Sequence, residues 1–209
     1  MLRKKSFIGI TSFCLRGHYN IETFLIQLLM KICYNLCVNL FSIIFRRTLM
    51  GKEAKTNAVR ILERNKVPYE LITYECDEFI DGMHTVEMTG APVEQTYKTL
   101  VMQGKSKQYY VFVIPIAEEV DLKAAARSVG EKSVEMIHVK DLTAITGYVR
   151  GGCSPLGMKK AFTTVIDSSA EQFDTMYVSG GRIGTTIKLN PQDLAKVVRA
   201  SFAPILMHA

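Results

Sequence analysis

The sequence has few cysteines, and they are not arranged for metal or disulfide chemistry. There are five in 209 residues, with no CxxC pair and no cysteine–histidine cluster at zinc spacing. We therefore expect neither a structural metal site nor a disulfide framework, and we predict no metal or other cofactor. The absence of a disulfide pattern fits a reducing compartment, and we expect the protein to be cytoplasmic.

The usual signatures of nucleophilic and phosphate chemistry are also missing. A hydrolase with its own nucleophile needs a serine or cysteine beside a base, but His84, His138 and His208 fall in no recognisable triad pattern. The run from Gly151 to Gly157 lacks the Gly-Lys-Ser/Thr ending of a P-loop. Cys153 lies within this run, and we interpret it as a small residue that fits the loop rather than as a nucleophile.

No long uninterrupted apolar run is present. Residues 24–45 are mostly apolar, but Gln27, Lys31, Asn35 and Asn39 interrupt them every fourth position. This spacing puts the polar residues on one helical face, and a lysine near the middle of a membrane span is costly. As a helix, the segment therefore suits a membrane interface better than a span. The alternative given below, a leader outside the protein proper, needs no membrane, and we expect no membrane partner.

Net positive charge is confined to the beginning of the chain. The formal charge is +6, yet residues 1–49 hold seven Lys or Arg against one acid, which leaves nineteen of each sign in residues 50–209. Overall charge is thus no evidence that the larger part binds RNA. We predict an N-terminal extension over residues 1–49 and one domain over residues 50–209. The extension is either an amphipathic helix or a leader wrongly included upstream of a true start at Met50.

Within residues 50–209 the pattern is that of a mixed α/β domain. Thr56 or Asn57 is expected to cap a first helix, and Asn190-Pro191 to open the last one. Irregular alternation with close hairpins favours a mixed sheet. Helices are predicted near residues 56–66, 85–88, 122–129, 140–145 and from 191. Strands are predicted near residues 69–74, 98–102, 108–114, 134–137, 163–166, 175–179 and 185–189.

The most unusual stretch is the glycine-rich loop, residues 147–157, with the sequence GYVRGGCSPLG. Four glycines and a proline in eleven residues exclude a regular helix or a central strand. Adjacent Gly151 and Gly152 allow another molecule close to the main chain. Their N–H groups could point at an oxygen that becomes negative during a reaction, although a tight connection without a ligand is the simpler alternative.

Together with four other stretches, this loop resembles the prolyl-tRNA editing superfamily, in particular its YbaK/EbsC-type Cys-tRNA deacylases. The resemblance runs from about Thr56 to the C-terminus. It implies a single α/β (α+β-like) domain with a mixed, mostly antiparallel, barrel-like sheet and surrounding helices. The other four stretches are KTNAVRIL (55–62), YKTLV (97–101), KSVEM (132–136) and YVSGGRIG (177–184).

The resemblance implies that the protein removes cysteine from mischarged Cys-tRNA(Pro), and Cys-tRNA(Cys) as an alternative substrate. The substrate thiol would attack its own ester and form a thiolactone, a lyase-type cleavage of a carbon–oxygen bond that needs no protein nucleophile. The implied partner is the acceptor end of aminoacylated tRNA, with prolyl-tRNA synthetase as a second candidate. Editing of alanine or another small amino acid, and a non-catalytic module that binds tRNA or the synthetase, remain open.

The resemblance also assigns candidate site residues. Lys98 matches the functional lysine, with contact to the phosphate or ribose of the acceptor end as its implied role. Gly151 is the second catalytic candidate, and with Pro155 it matches a Gly-x-x-x-Pro element that lines the aminoacyl pocket. The expected substrate-binding residues are Tyr74, Thr99, Gly152, Ser154, Pro155 and Ser179. The segment from Glu75 to Met88 is shorter than in the family. Phe79 is the nearby candidate for a phenylalanine that lines the pocket there, and for this reason we do not include it among the site residues.

Overall fold

The structure, a computed structural model, describes residues 55–76 and 81–207. Its helices are α1 (Asn57–Arg64), α2 (Gly82–Thr89), α3 (Leu122–Ser128), α4 (Val139–Thr146) and α5 (Pro191–Val198). Its strands are β1 (Tyr69–Thr73), β2 (Tyr97–Gly104), β3 (Tyr109–Pro115), β4 (Val134–Met136), β5 (Thr163–Asp167), β6 (Met176–Ser179), β7 (Thr185–Leu189) and β8 (Ser201–Ala203). The N-terminal extension and the boundary at residue 50 lie outside the described residues and stay predictions.

Side-chain caps fix where the helices begin. The Thr56 hydroxyl accepts a hydrogen bond from the Val59 amide at 3.3 Å, as the sequence predicts. Asn190 caps α5, and Pro191 occupies its first turn. Helix α2 begins three residues earlier than predicted, because the Asp81 carboxylate accepts from the His84 amide at 2.8 Å.

The strands form two sheets, of three and five strands. The smaller has the order β1-β7-β6, with both pairs antiparallel, and the larger has the order β4-β2-β3-β5-β8. In the larger sheet β2 pairs antiparallel with β3 and β4, while β5 pairs parallel with β3 and β8. A mixed, mostly antiparallel arrangement is thereby confirmed. Strand β8 was not predicted, because Ser201–Ala203 contains no β-branched residue that would indicate a strand.

The barrel-like closure is not confirmed. Among the described residues the two sheets are open, and a single parallel bridge between Thr96 and Tyr177 joins β2's start to β6. Beyond this bridge the two strands diverge, and the space between them is the cavity described below.

Each face of the five-stranded sheet packs on its own core. Val101, Val113 and Ile166 face the smaller sheet, α1 and α5, in a core that also contains Leu62 and Leu194. On the opposite face, Met102, Phe112, Ile114 and Val165 pack against α3 through Ala125 and Ala126. Alternation along β2 assigns neighbouring residues to opposite faces, so Thr99 shares a face with Val101 and Lys98 shares one with Leu100.

Candidate functional site

A cavity of about 530 Å³ lies where β2 separates from β6. Five of the eight residues predicted from the sequence line it: Tyr74, Lys98, Thr99, Gly151 and Ser179. They come from the end of β1, from β2, from the glycine-rich loop and from the end of β6. The structure therefore brings together residues that are as many as 105 positions apart in the sequence.

The edge of β2 is open along this cavity. The Val101 carbonyl accepts from the Ile137 amide at 3.3 Å, and at the other end Thr96 forms its bridge with Tyr177. Between these two points, no strand of the described residues pairs with the edge of β2 opposite β3. An open strand edge beside a cavity offers main-chain donors and acceptors to a ligand.

Lys98 provides a half-buried cation in the wall of the cavity. Its Nζ donates to the Ile116 carbonyl oxygen at 3.0 Å, which fixes the ammonium near the end of β3. Burial lowers the pKa of Lys98, while the nearby carboxylates of Glu119 and Glu118 act in the opposite direction. The result is a positioned positive charge that is suited to an anionic group of a ligand.

Thr99 carries a buried hydroxyl without a partner. Its Oγ1 is inaccessible to solvent and forms no hydrogen bond within the described part of the chain. An unsatisfied buried polar group costs about 1–3 kcal/mol. Because Thr99 lines the cavity, its hydroxyl is a candidate hydrogen-bond partner for a ligand.

The glycine-rich loop contributes main chain rather than side chains. Gly151 has φ +81°, a conformation that strongly favours glycine, and its amide makes no hydrogen bond within the described residues. The Gly152 amide donates to Val149 at 3.1 Å. A Cβ at position 152 would lie 3.2 Å from the Cα of Arg182. Gly152 therefore packs the loop against the neighbouring turn and does not line the cavity.

The second half of the loop is fixed in the interior. Ser154 and Pro155, both predicted to bind substrate, are buried outside the cavity. The Ser154 hydroxyl accepts from the Leu156 amide at 3.3 Å. The Tyr148 hydroxyl donates to the Leu156 carbonyl at 2.6 Å, which ties the two ends of the loop together. These contacts fix the loop on both sides of Gly151.

Cys153 lines the cavity, but its thiol is poorly suited to act as a nucleophile. Burial raises its pKa to about 12, and a hydrogen bond with Thr146 offsets only part of this effect. A reactive cysteine needs a lowered pKa, because the thiolate is the nucleophile. Histidine, the usual activating base, is not among the lining residues in the described chain.

Tyr74 and Ser179 complete the predicted set. The Tyr74 hydroxyl donates to the Thr85 hydroxyl at 3.3 Å, and its amide donates to the Gly184 carbonyl at 2.9 Å. The Ser179 hydroxyl accepts from the Gly181 amide at 3.4 Å, which leaves its own proton available to a ligand. Both hydroxyls therefore lie at the cavity with fixed orientations.

Several residues that line the cavity were not predicted from the sequence. The start of α2 contributes Asp81, Met83 and Thr85, in a segment that shows no periodicity. The Asp81 cap was the available signal, since it marks a helix start. Tyr177 was also missed, although it lies two residues before Ser179 and so shares its face of β6.

The described residues lack two features that would indicate other kinds of protein. No helix in residues 55–76 and 81–207 has the length and apolar character that crossing a bilayer requires. In the same ranges no group of three or more His, Cys, Asp or Glu side chains is placed to hold a metal ion. The amphipathic segment at residues 24–45 lies outside the described residues.

Comparisons with known proteins agree on one family. A family model described as the aminoacyl-tRNA editing domain matches residues 83–197. A protein of Enterococcus faecalis, named "Putative Cys-tRNA(Pro)/Cys-tRNA(Cys) deacylase EbsC", is 42% identical over 154 residues, which cover 73% of this chain and 94% of that protein.

Solved structures show the same fold at low identity. One, described as a "putative trans-editing enzyme for prolyl tRNA synthetase", aligns with a TM-score of 0.61 at 21% identity, over 67% of this chain and 87% of that one. The hypothetical protein APE2540 aligns with a TM-score of 0.66 at 18% identity, over 71% and 97%. With the family model and the Enterococcus relative, these findings show that the chain belongs to the aminoacyl-tRNA editing family, in its YbaK/EbsC-type branch.

Proposed function

We propose that the protein is a trans-editing deacylase that removes cysteine from mischarged Cys-tRNA(Pro), with Cys-tRNA(Cys) as a second substrate. Family membership and the name of the Enterococcus relative support this substrate class. The observation that carries the proposal is the composition of the cavity. It combines a fixed cation, hydroxyls and an available backbone amide, while its one thiol has a pKa of about 12.

In the proposed reaction the substrate supplies its own nucleophile. The cysteinyl sulfur attacks the ester carbonyl carbon and gives up its proton. The bond from this carbon to the 3′ oxygen breaks, and the tRNA leaves with a proton on that oxygen. The other product is a four-membered thiolactone, which water then opens to free cysteine. Confinement of reacting groups in productive geometry can supply up to ~7–11 kcal/mol, so binding and orientation are the main tasks of the protein.

Each group that lines the cavity has a role in the proposed reaction. The Lys98 ammonium contacts the phosphate or ribose of the terminal adenosine, and the Gly151 amide donates to the developing oxyanion. One such donor contributes about 2.7–4 kcal/mol. Thr99, Tyr74 and Ser179 orient the aminoacyl ester through their hydroxyls. The cavity volume of about 530 Å³ is in the range of small-molecule sites and suits an aminoacyl-adenosine rather than an amino acid alone.

Gly152, Ser154 and Pro155 act indirectly in this proposal. Their burial and contacts hold the loop, so they shape the cavity without touching the substrate. We place the reaction in the cytoplasm, where the two described cysteines, Cys76 and Cys153, would stay reduced. Prolyl-tRNA synthetase is proposed as a docking partner, on the description of the structural neighbour.

The test is ester loss from tRNA(Pro) charged with cysteine or with alanine. We expect rapid loss of the cysteinyl ester and slow loss of the alanyl ester, and we expect Lys98→Ala to suppress the cysteine reaction. Lys105→Ala is the matched control, since Lys105 is exposed in the β2–β3 hairpin. Faster loss of alanine would assign the protein to alanine editing. Binding of tRNA without loss of either ester would make it a binding module.

A further inference from the structure

A second cavity, of about 810 Å³, adjoins the candidate site. We call it the side cavity; its walls include Lys98, Leu100, Glu119, Leu122, Met136 and Met207. It lies on the face of the five-stranded sheet that carries Lys98 and Leu100, beside the start of α3. We propose that the side cavity binds the base of the cytidine that precedes the terminal adenosine of tRNA. This inference rests on the proposed function.

The walls of the side cavity are apolar and exposed. Leu122, Met136 and Met207 are 46%, 51% and 57% accessible to solvent. Isolated exposed apolar residues need no explanation, but three in the wall of one cavity indicate a surface that a ligand covers. Flat bases that leave their stack are bound between aromatic or apolar side chains, and methionine adapts well to such a contact.

Continuity with the candidate site selects the ligand. Lys98 and Leu100 belong to both cavities, so a chain that leaves the first cavity past Lys98 enters the second. An aminoacyl ester is attached to the last nucleotide of a single strand. The phosphate that links this nucleotide to the preceding one would then meet the Lys98 ammonium, and the preceding base would lie on Met136 and Leu122.

The carboxylates of the side cavity differ in what they can offer to a base. Asp121 is used as the cap of α3, where it accepts from the Lys123 and Ala124 amides at 2.8 and 3.2 Å. Glu119 makes no side-chain hydrogen bond within the described residues, and its carbonyl accepts from the Met207 amide at 3.0 Å, which places Met207 beside it. Lys98 and Lys123 balance the two carboxylates in formal charge, so net charge does not select the ligand. The Glu119 carboxylate does, because it accepts well from the exocyclic amine of cytosine. Uracil has a carbonyl at that position.

The test measures the Kd of the full chain for two short RNAs that end in ACCA or in ACUA. We expect the wild type to bind the cytidine form about tenfold more tightly, and Glu119→Ala to lose this preference. The double variant Met136→Ala/Met207→Ala should weaken binding of both RNAs by about tenfold, since base stacking is lost. Met88→Ala is the matched control, because Met88 is exposed to 44% and lines neither cavity.

A second substrate separates this inference from the proposed function. Cysteinyl-adenosine lacks the preceding cytidine, so the variants should cleave it as the wild type does while KM rises for Cys-tRNA(Pro). Equal binding of the two RNAs by the wild type, or equal loss of cleavage with both esters, would overturn the inference. Unchanged RNA binding with lost affinity for prolyl-tRNA synthetase would make the side cavity a protein contact instead. Cytidine-dependent binding without ester cleavage would overturn the deacylase proposal alone.

Discussion

Strand β2 and the glycine-rich loop both line the candidate site, and they contribute to it in different ways. The strand presents side chains, Lys98 and Thr99, from a backbone that seven paired positions with β3 hold in place. The loop presents its main chain at Gly151, in a conformation with φ +81°. A substitution on the strand therefore removes a chemical group from the cavity. A substitution in the loop instead displaces a main-chain amide, which is still present.

The largest effect is expected on the loop side. Gly151→Val adds a branched side chain at a positive φ and fills the approach to the ester, so we expect at least a 100-fold loss of activity, on the order of one lost oxyanion donor. Gly151→Ala should lose less, since it adds strain but little bulk. The control is Val149→Ala, an exposed loop position outside the cavity. A Gly151→Val protein that is folded and fully active would exclude the main-chain role.

On the strand side, Lys98→Ala should lower kcat/KM by about 10- to 100-fold, the worth of a hydrogen bond to a charged group. Stability in chemical denaturation should hardly change, because Lys98 is only half-buried and contacts a single carbonyl. Lys98→Arg should recover part of the activity, since a planar guanidinium replaces a compact ammonium poorly. Wild-type turnover in Lys98→Ala would reduce this lysine to a structural contact.

Gly152→Ala should separate packing from chemistry inside the loop. The new Cβ would meet the Arg182 backbone at 3.2 Å, and overpacking of this kind costs about 1–3 kcal/mol. We expect a lower free energy of unfolding, measured by denaturant titration, together with a more modest loss of activity than for Gly151→Val. If Gly152→Ala is as stable as the wild type but inactive, the Gly152 position contacts the substrate directly.

Affinity for uncharged tRNA should respond to pH through the strand side. Burial lowers the pKa of Lys98, so as pH rises the cation is lost before an ordinary lysine would lose its proton. We expect a several-fold weaker Kd on the alkaline side, below the usual pKa of lysine. Lys98→Arg should not show this change, because arginine remains protonated. An identical alkaline change in both proteins would point to another group.

The smallest effect is expected at Cys153. Since burial raises the pKa of its thiol to about 12, Cys153→Ala should retain most of the activity in the ester-loss assay. Cys76→Ala serves as the matched control. A folded but inactive Cys153→Ala protein would contradict this expectation.

The same contrast explains what could be predicted from the sequence. Regular elements are specified locally, so the caps at Thr56 and Asn190 and the strands β2 and β3 were predicted close to their observed positions. Lys98 and Thr99 line the cavity, but they were assigned from the family resemblance rather than from the strand pattern, and their roles stay predictions.

The contribution of the glycine-rich loop was harder to predict, because glycine content does not tell which residues of a loop line a cavity. Gly151 lines the cavity, while Ser154 and Pro155 turn into the interior. This division depends on the hydrogen bond from Tyr148 within the loop and on packing against Arg182, which is distant in the sequence. The open edge of β2 was equally invisible, since it results from where β4 and β6 pair with β2 rather than from the sequence of β2 itself.

In the proposed reaction the substrate, not the protein, provides the nucleophile. The most direct measurement is the ratio of deacylation rates for tRNA(Pro) charged with cysteine or serine, in the wild type and in Cys153→Ala. We predict that cysteine reacts at least about 100-fold faster in both proteins, because only the substrate thiol can form the thiolactone at this rate. Equal rates for the two esters in the wild type, with a covalent cysteinyl intermediate on Cys153, would contradict it.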